Sequence, residues 1–117
     1  MKILTIPVND RHLSEGRRSS VGWCAVGLAL REMYGAENEE DELCVRVIDY
    51  KAIEGAPHEI RVFNVRTFTP PNSKISSFIR QFDFGVSSPE PAELELEVPD
   101  NWPQPIPRYK HLLREAP

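Results

Sequence analysis

The most regular pattern in the chain is the strict alternation of apolar residues and glutamates from Ala92 to Val98, AELELEV. A period of two predicts a half-buried strand that turns Glu93, Glu95 and Glu97 to water. Less regular alternation predicts strands at Lys2–Val8, Leu43–Tyr50 and Glu59–Phe68. A short link with turn residues joins the last two, which indicates an antiparallel hairpin.

Two segments carry the helical period instead. Ile75, Phe78, Ile79 and Phe82 recur at i, i+3, i+4 and i+7, between a cap at Asn72 or Ser73 and a stop at Gly85. The stretch from Ser19 to Gly35, SSVGWCAVGLALREMYG, is apolar nearly all round, which is typical of a buried helix. Ser19 or Ser20 is its expected N-cap, and Gly35 its expected end.

The resulting order, β-α-β-β-α-β, predicts an α+β fold with an antiparallel-rich sheet and its helices packed on one face. A ferredoxin-like layer has this order and is one arrangement that it allows. We expect residues 1–98 to form a single α+β domain. The proline-rich residues 99–117 are expected to dock Trp102 and Ile106 on it and to form a short C-terminal helix over Arg108 to Arg114.

Composition narrows the class of protein. A formal charge of −4 argues against general binding to DNA or to a membrane surface. No apolar run is long enough to span a membrane or to act as a secretory signal, so the sequence predicts a cytoplasmic protein. Cys24 and Cys44 match no metal-ligand spacing; they are expected to be free thiols, with a disulfide as the alternative.

The segment Gly16–Trp23, GRRSSVGW, is the first candidate binding site. If it opens the buried helix, its free N–H groups and the positive end of the helix dipole favour an anion. Arg17 and Arg18 would add bidentate donors, Ser19 and Ser20 hydroxyls, and Trp23 a stacking surface. The segment is neither a Walker loop nor a GxGxxG motif, and the alternative is an ordinary cap with two exposed arginines.

A second set of candidates lies on the predicted hairpin, where Arg46, Arg61 and Arg66 either line an open binding face or form its solvated side. Arg61 and Arg66 are included in the predicted ligand site. Tyr50 and Phe63 would add stacking surface there, although Phe63 also suits the core.

Catalysis finds little support in the sequence. His12, His58 and His111 are scattered and form no HxxxH pair, and Cys24 lies inside an apolar helix where a thiolate is disfavoured. The sequence therefore predicts a protein that is not an enzyme, with no catalytic residue, metal or cofactor. The acidic run over residues 37–42 and the β-strand glutamates would allow it to mimic nucleic-acid phosphates, or would simply keep the surface soluble.

Three stretches together resemble a family of small bacteriophage accessory proteins. They are WCAVGLALRE at Trp23–Glu32, FIRQFDFG at Phe78–Gly85 and the closing PAELELEVP. In this family a Cys-x-x-[AG]-Leu-Ala-Leu helix precedes a hairpin and an FxxxFD segment; Ala25 stands here where the family usually has proline.

The resemblance implies a non-enzymatic protein of the host bacterial cytoplasm that counters host defence, and it brings no catalytic residues. One expectation is sequestration of a nucleotide-like signal, as by a sponge. The alternative is a protein–protein inhibitor that binds a host defence or nucleic-acid-binding protein through its acidic surface. Homo-oligomerisation is left open by the sequence.

Overall fold

The computed structural model describes residues 1–49 and 57–117, which form an α+β fold with two antiparallel three-stranded sheets. In chain order the strands are β1 (Lys2–Val8), β2 (Val45–Asp49), β3 (His58–Val62), β4 (Val65–Phe68), β5 (Ala92–Val98) and β6 (Leu113–Glu115). The helices are α1 (Asp10–Glu15), α2 (Ala25–Tyr34) and α3 (Lys74–Phe84), with 3-10 helices at Glu39–Cys44 and Pro107–Leu112. The prediction of an α+β fold is confirmed.

The strands divide into the orders β5-β1-β6 and β2-β3-β4, rather than forming one ferredoxin-like layer. β1 and β5 pair along their whole length, with the glutamates of β5 exposed as predicted and its leucines buried. α2 packs against both β1 and β2, and α3 packs against β5 and α2, so the core lies between the helices and the two sheets. The Thr67 hydroxyl donates to the Glu97 carbonyl at 3.1 Å and links β4 to β5.

The prediction of one strand over Glu59–Phe68 is wrong, because the chain reverses at Phe63 and Asn64. Val62 pairs directly with Val65, which makes this a two-residue turn between β3 and β4. Phe63 has a φ of 53°, in the left-handed region that such turns normally fill with Gly, Asn or Asp. The sequence carries no glycine here, and the turn was therefore not recognised. The predicted pairing of β2 with β3 is confirmed.

The buried helix also begins later than predicted. Its N-cap is Cys24, whose sulfur accepts a hydrogen bond from the Gly27 N–H at 3.4 Å, and not Ser19 or Ser20. The Ser20 hydroxyl instead accepts from the Trp23 N–H at 3.1 Å, which holds residues 20–23 in a turn. The end at Gly35, with φ of 65°, is as predicted, and so are the Ser73 cap and the Gly85 end of α3.

Residues 99–117 run back over the body. The Tyr34 hydroxyl donates to the Pro103 carbonyl at 3.0 Å and accepts from Trp102 Nε1 at 2.9 Å. The expected helix over Arg108 to Arg114 is replaced by a 3-10 helix, Pro107–Leu112, followed by β6, which adds a third strand beside β1. The link that includes Gly55, and Tyr50 with it, lies outside the described residues.

Candidate anion-binding site

Three arginines stand side by side on the outer face of the β2-β3-β4 sheet. Arg46 of β2 is directly opposite Arg61 of β3, and Arg61 is directly opposite Arg66 of β4. We call these three residues the arginine row. Their neighbours in the same strands, Val45, Val47, Ile60 and Val62, face the core, so alternation turns every member of the row outward. Like charges placed opposite one another destabilise a sheet, and this arrangement therefore has a cost.

The carboxylate of Glu59 neutralises the positive charge of Arg61, the central residue of the row. Glu59 lies two residues before Arg61 on the same face of β3, between Ile48 and Phe68 of the adjacent strands. Its carboxylate is buried and accepts two hydrogen bonds from Arg61, at 3.1 Å from Nε and 2.5 Å from Nη2. The Arg61 guanidinium is thereby oriented along the strand.

The two outer arginines have no such partner within the described residues: neither Arg46 nor Arg66 makes an ion pair or a side-chain hydrogen bond there. Among the described residues, the three arginines of the row and Glu59 together carry a net charge of +2.

The row is bordered by apolar side chains. Leu43, Phe63 and Asn64 complete a surface depression of about 430 Å³ around the three arginines. Phe63 is 42% exposed and Leu43 is 69% exposed, so both side chains are accessible to a ligand at the edge of the row. The Phe63 backbone is held by a 2.7 Å hydrogen bond from its N–H to the Cys44 carbonyl, and its ring meets the Tyr34 ring edge-on at 5.9 Å. A positive φ at a bulky residue is a strained conformation, and here it presents an aromatic ring beside the arginines.

A buried arginine fixes where β2 begins and so positions Arg46. Arg31 of α2 is fully buried and donates five hydrogen bonds to main-chain carbonyls. The acceptors are Gly22 (2.7 Å), Ala36 (3.0 Å), Asp41 (2.8 Å), Glu42 (2.7 Å) and Val45 (3.0 Å). A guanidinium has five N–H groups, so each of them is satisfied.

The Arg31 guanidinium also lies 3.9 Å from the centre of the Trp23 ring, in a cation–π contact. Burial is the main cause that lowers the pKa of this guanidinium from its usual value. Arg31 therefore stabilises the fold around residues 36–45 and is not available to a ligand.

The segment that the sequence favoured as an anion site lies beside a more acidic cleft. Arg17 and Trp23 line a depression of about 420 Å³ together with Glu37, Glu39 and Glu42, which we call the Trp23 cleft. Arg17 is 5.8 Å from the centre of the Trp23 ring. Three carboxylates against one arginine make the local charge negative, which disfavours a phosphate there.

The other residues of that segment have structural contacts or point to solvent. The Ser19 N–H donates to Asp83 Oδ1 at 2.8 Å, so a carboxylate of the chain itself already occupies that donor. Arg18 is exposed. Because α2 begins at Ala25, these residues do not form the N-terminus of the helix. A smaller depression shares Trp23 and Glu42 with the Trp23 cleft and Arg46 with the arginine row; its lining is completed by Ser20, Val21 and Gly22.

Ser76, His58 and the partly buried Asp49 form a chain with the residue types of a hydrolase triad. Ser76 Oγ is 2.8 Å from His58 Nδ1, and His58 Nε2 is 3.5 Å from Asp49 Oδ1. Ser76 and His58 are fully buried, so a substrate has no access to the hydroxyl in this conformation. Burial lowers the pKa of His58, which keeps its ring neutral at pH 7. We interpret this chain as a packing contact between β3 and α3.

Both cysteines are free thiols. Burial raises the pKa of Cys24 to about 11, so it remains protonated, as expected for a thiol inside the core. Within residues 1–49 and 57–117, no group of three or more His, Cys, Asp or Glu side chains is arranged to hold a metal ion. No helix in these ranges is long and apolar enough to cross a membrane.

Sequence reasoning missed the roles of Arg31 and Glu59. For Arg31, the sequence did contain a signal, because a single arginine lies within the apolar part of the helix. The burial of Glu59 depends on the β3–β4 turn and could not be read from its position. Comparisons with models of protein families, with curated proteins and with solved structures find no match to this chain.

Proposed function

We propose that this protein is a non-enzymatic binding protein that holds an anionic, nucleotide-like ligand on the arginine row. The observation that carries the proposal is the register of Arg46, Arg61 and Arg66 on three adjacent strands. A row of like charges costs stability in the free protein, and an anion would relieve it. Exposed Phe63 beside the row offers a surface on which a base can stack.

The biological setting follows from the resemblance to phage accessory proteins. In this proposal the protein acts in the cytoplasm of a host bacterium and sequesters a nucleotide signal of host defence. Sequestration requires binding without turnover, and the closed Ser76–His58–Asp49 chain is consistent with that requirement.

The experiment is a thermal-shift and calorimetric screen against nucleotides, cyclic dinucleotides and ADP-ribose derivatives. A ligand at 100 times its dissociation constant should add about 2.7 kcal/mol to the free energy of unfolding. We expect Arg66→Ala to abolish most of that gain, while the double variant Arg17→Ala, Arg18→Ala retains it. If no ligand of the panel binds, or if binding survives Arg66→Ala and is lost in the double variant, the arginine row is not the site.

The second candidate is a protein–protein inhibitor that uses an acidic surface. It is favoured by the exposed glutamates of β5, which share one face of an edge strand. Glu95 pairs with Arg114 at 2.6 Å, and Glu93 and Glu97 lie on either side. This candidate predicts a host protein whose binding weakens with salt and is lost on Glu93→Lys with Glu97→Lys. Arg66→Ala is the matched control and should leave that binding unchanged.

A further inference from the structure

We infer that the ligand of the arginine row carries two separate phosphate groups, as a dinucleotide does, rather than the single phosphate of a mononucleotide. This inference rests on the proposed function and specifies the ligand of the same site. It follows from the spacing and the unequal compensation of the three arginines.

The spacing comes from the sheet. Adjacent strands lie about 4.8 Å apart, so the backbones that carry Arg46 and Arg66 are separated by two spacings, roughly 10 Å. Arg61 stands between them. To meet on one phosphate, the outer two guanidiniums would have to lean toward each other above the central one, which brings like charges together.

The pairing of Arg61 with Glu59 distinguishes the central arginine from the two outer ones. The Arg61 guanidinium already has a carboxylate partner in Glu59, which takes up its Nε and one Nη2 bond. The donors that remain unpaired within the described residues are concentrated on Arg46 and Arg66, one at each end. Each can bind one phosphate through a bidentate pair of hydrogen bonds.

Charge alone would not distinguish the ligands. The local +2 suits two phosphodiesters with one negative charge each, and it also suits one terminal phosphate, which carries −1.5 to −2 at neutral pH. Geometry favours two phosphates, because such a ligand engages both ends while each outer arginine stays above its own strand. The depression of about 430 Å³ lies within the range of small-molecule sites. Phe63, at its border, is placed to stack one base.

The test compares three probes at one ionic strength by calorimetry: adenosine 5′-monophosphate, the 5′-phosphorylated linear diadenylate and cyclic diadenylate. We expect at least one diadenylate to bind about tenfold or more tightly than the monophosphate, because a second charge-assisted contact is formed. Whichever diadenylate has the advantage identifies the source, a fragment of nucleic acid or a cyclic signal.

The variants make the comparison specific to the row. In either Arg46→Ala or Arg66→Ala, the advantage of the diadenylate over the monophosphate should disappear, and Arg18→Ala, at an exposed site outside the depression, should keep it. Circular dichroism verifies that each variant is folded. If all three probes bind equally and lose affinity in the row variants, the proposed function stands and the two-phosphate inference fails. If none binds, the proposed function fails as well.

Discussion

Replacing Arg31 by methionine should destabilise this protein more than replacing any exposed arginine. Methionine is close to the length of the arginine stem and fills much of its space, but it donates no hydrogen bond. Five main-chain carbonyls would lose their donor at once. Those of Asp41 and Glu42 lie near the surface and can be rehydrated; those of Gly22, Ala36 and Val45 are buried.

Each buried acceptor left without a partner costs about 1–3 kcal/mol. Three of them give about 3–9 kcal/mol. Native domains are stable by about 5–15 kcal/mol, so Arg31→Met should bring the protein close to unfolding. Arg31→Lys retains the charge with only three donors and should fall between the wild type and Arg31→Met.

Urea unfolding followed by circular dichroism measures these differences, with Arg18→Met as the matched control. Arg18 is exposed, and its replacement should change the free energy of unfolding by less than about 0.5 kcal/mol. If Arg31→Met costs no more than Arg18→Met, the carbonyls are satisfied in another way and the role assigned to Arg31 is wrong.

Three further predictions concern the core. Burial lowers the pKa of His58 in the folded protein, whereas in the unfolded chain this histidine has its ordinary pKa of about 6.5. Below pH 6.5 the unfolded chain therefore binds more protons than the folded protein does. The free energy of unfolding should therefore fall as the pH drops from 7.5 to 5.5, and His58 should account for up to about 1.4 kcal/mol of that fall. His58→Gln should remove this part of the pH dependence. An unchanged pH dependence would contradict the lowered pKa of His58. Cys44 should react with a thiol reagent in the native protein, whereas Cys24 should react only on unfolding; equal rates would show that Cys24 is accessible. Tyr34→Phe should lower the free energy of unfolding by about 1–3 kcal/mol, because Trp102 Nε1 and the Pro103 carbonyl lose their hydrogen-bond partner. Urea unfolding measures this difference. An unchanged free energy of unfolding would mean that residues 99–117 are not held to the body by these hydrogen bonds.

The elements that sequence reasoning found best are those whose pattern is local. The glutamate alternation of β5 and the i, i+3, i+4, i+7 spacing of α3 each specify one face, and the structure has both elements where they were predicted. The division of the strands into two sheets was not predictable, because it depends on pairing between residues far apart in the chain.

Errors arose where local chemistry allowed two outcomes. Ser20 is a good helix cap, but the Gly22 carbonyl that follows it accepts from Arg31, and the helix is delayed to Ala25. Phe63 gave no turn signal, since glycine usually occupies such a position. Of the candidate site residues, Arg61 and Arg66 lie together in the arginine row, whereas Arg17 and Trp23 lie in a cleft lined by three glutamates.

In the segment from Ala36 to Val45, Arg31 donates hydrogen bonds only to main-chain oxygens. The backbone conformation that Arg31 holds therefore does not depend on the charges of the side chains in this segment. Every type of residue has this carbonyl, and the exposed side chains of Glu37 and Glu39 make no hydrogen bond or ion pair among the described residues. Lysines or neutral residues could replace them with little change in stability. The rim of the Trp23 cleft is thus a surface whose electrostatic potential can be reversed by mutation, in the laboratory or in evolution, while the neighbouring arginine row keeps its geometry.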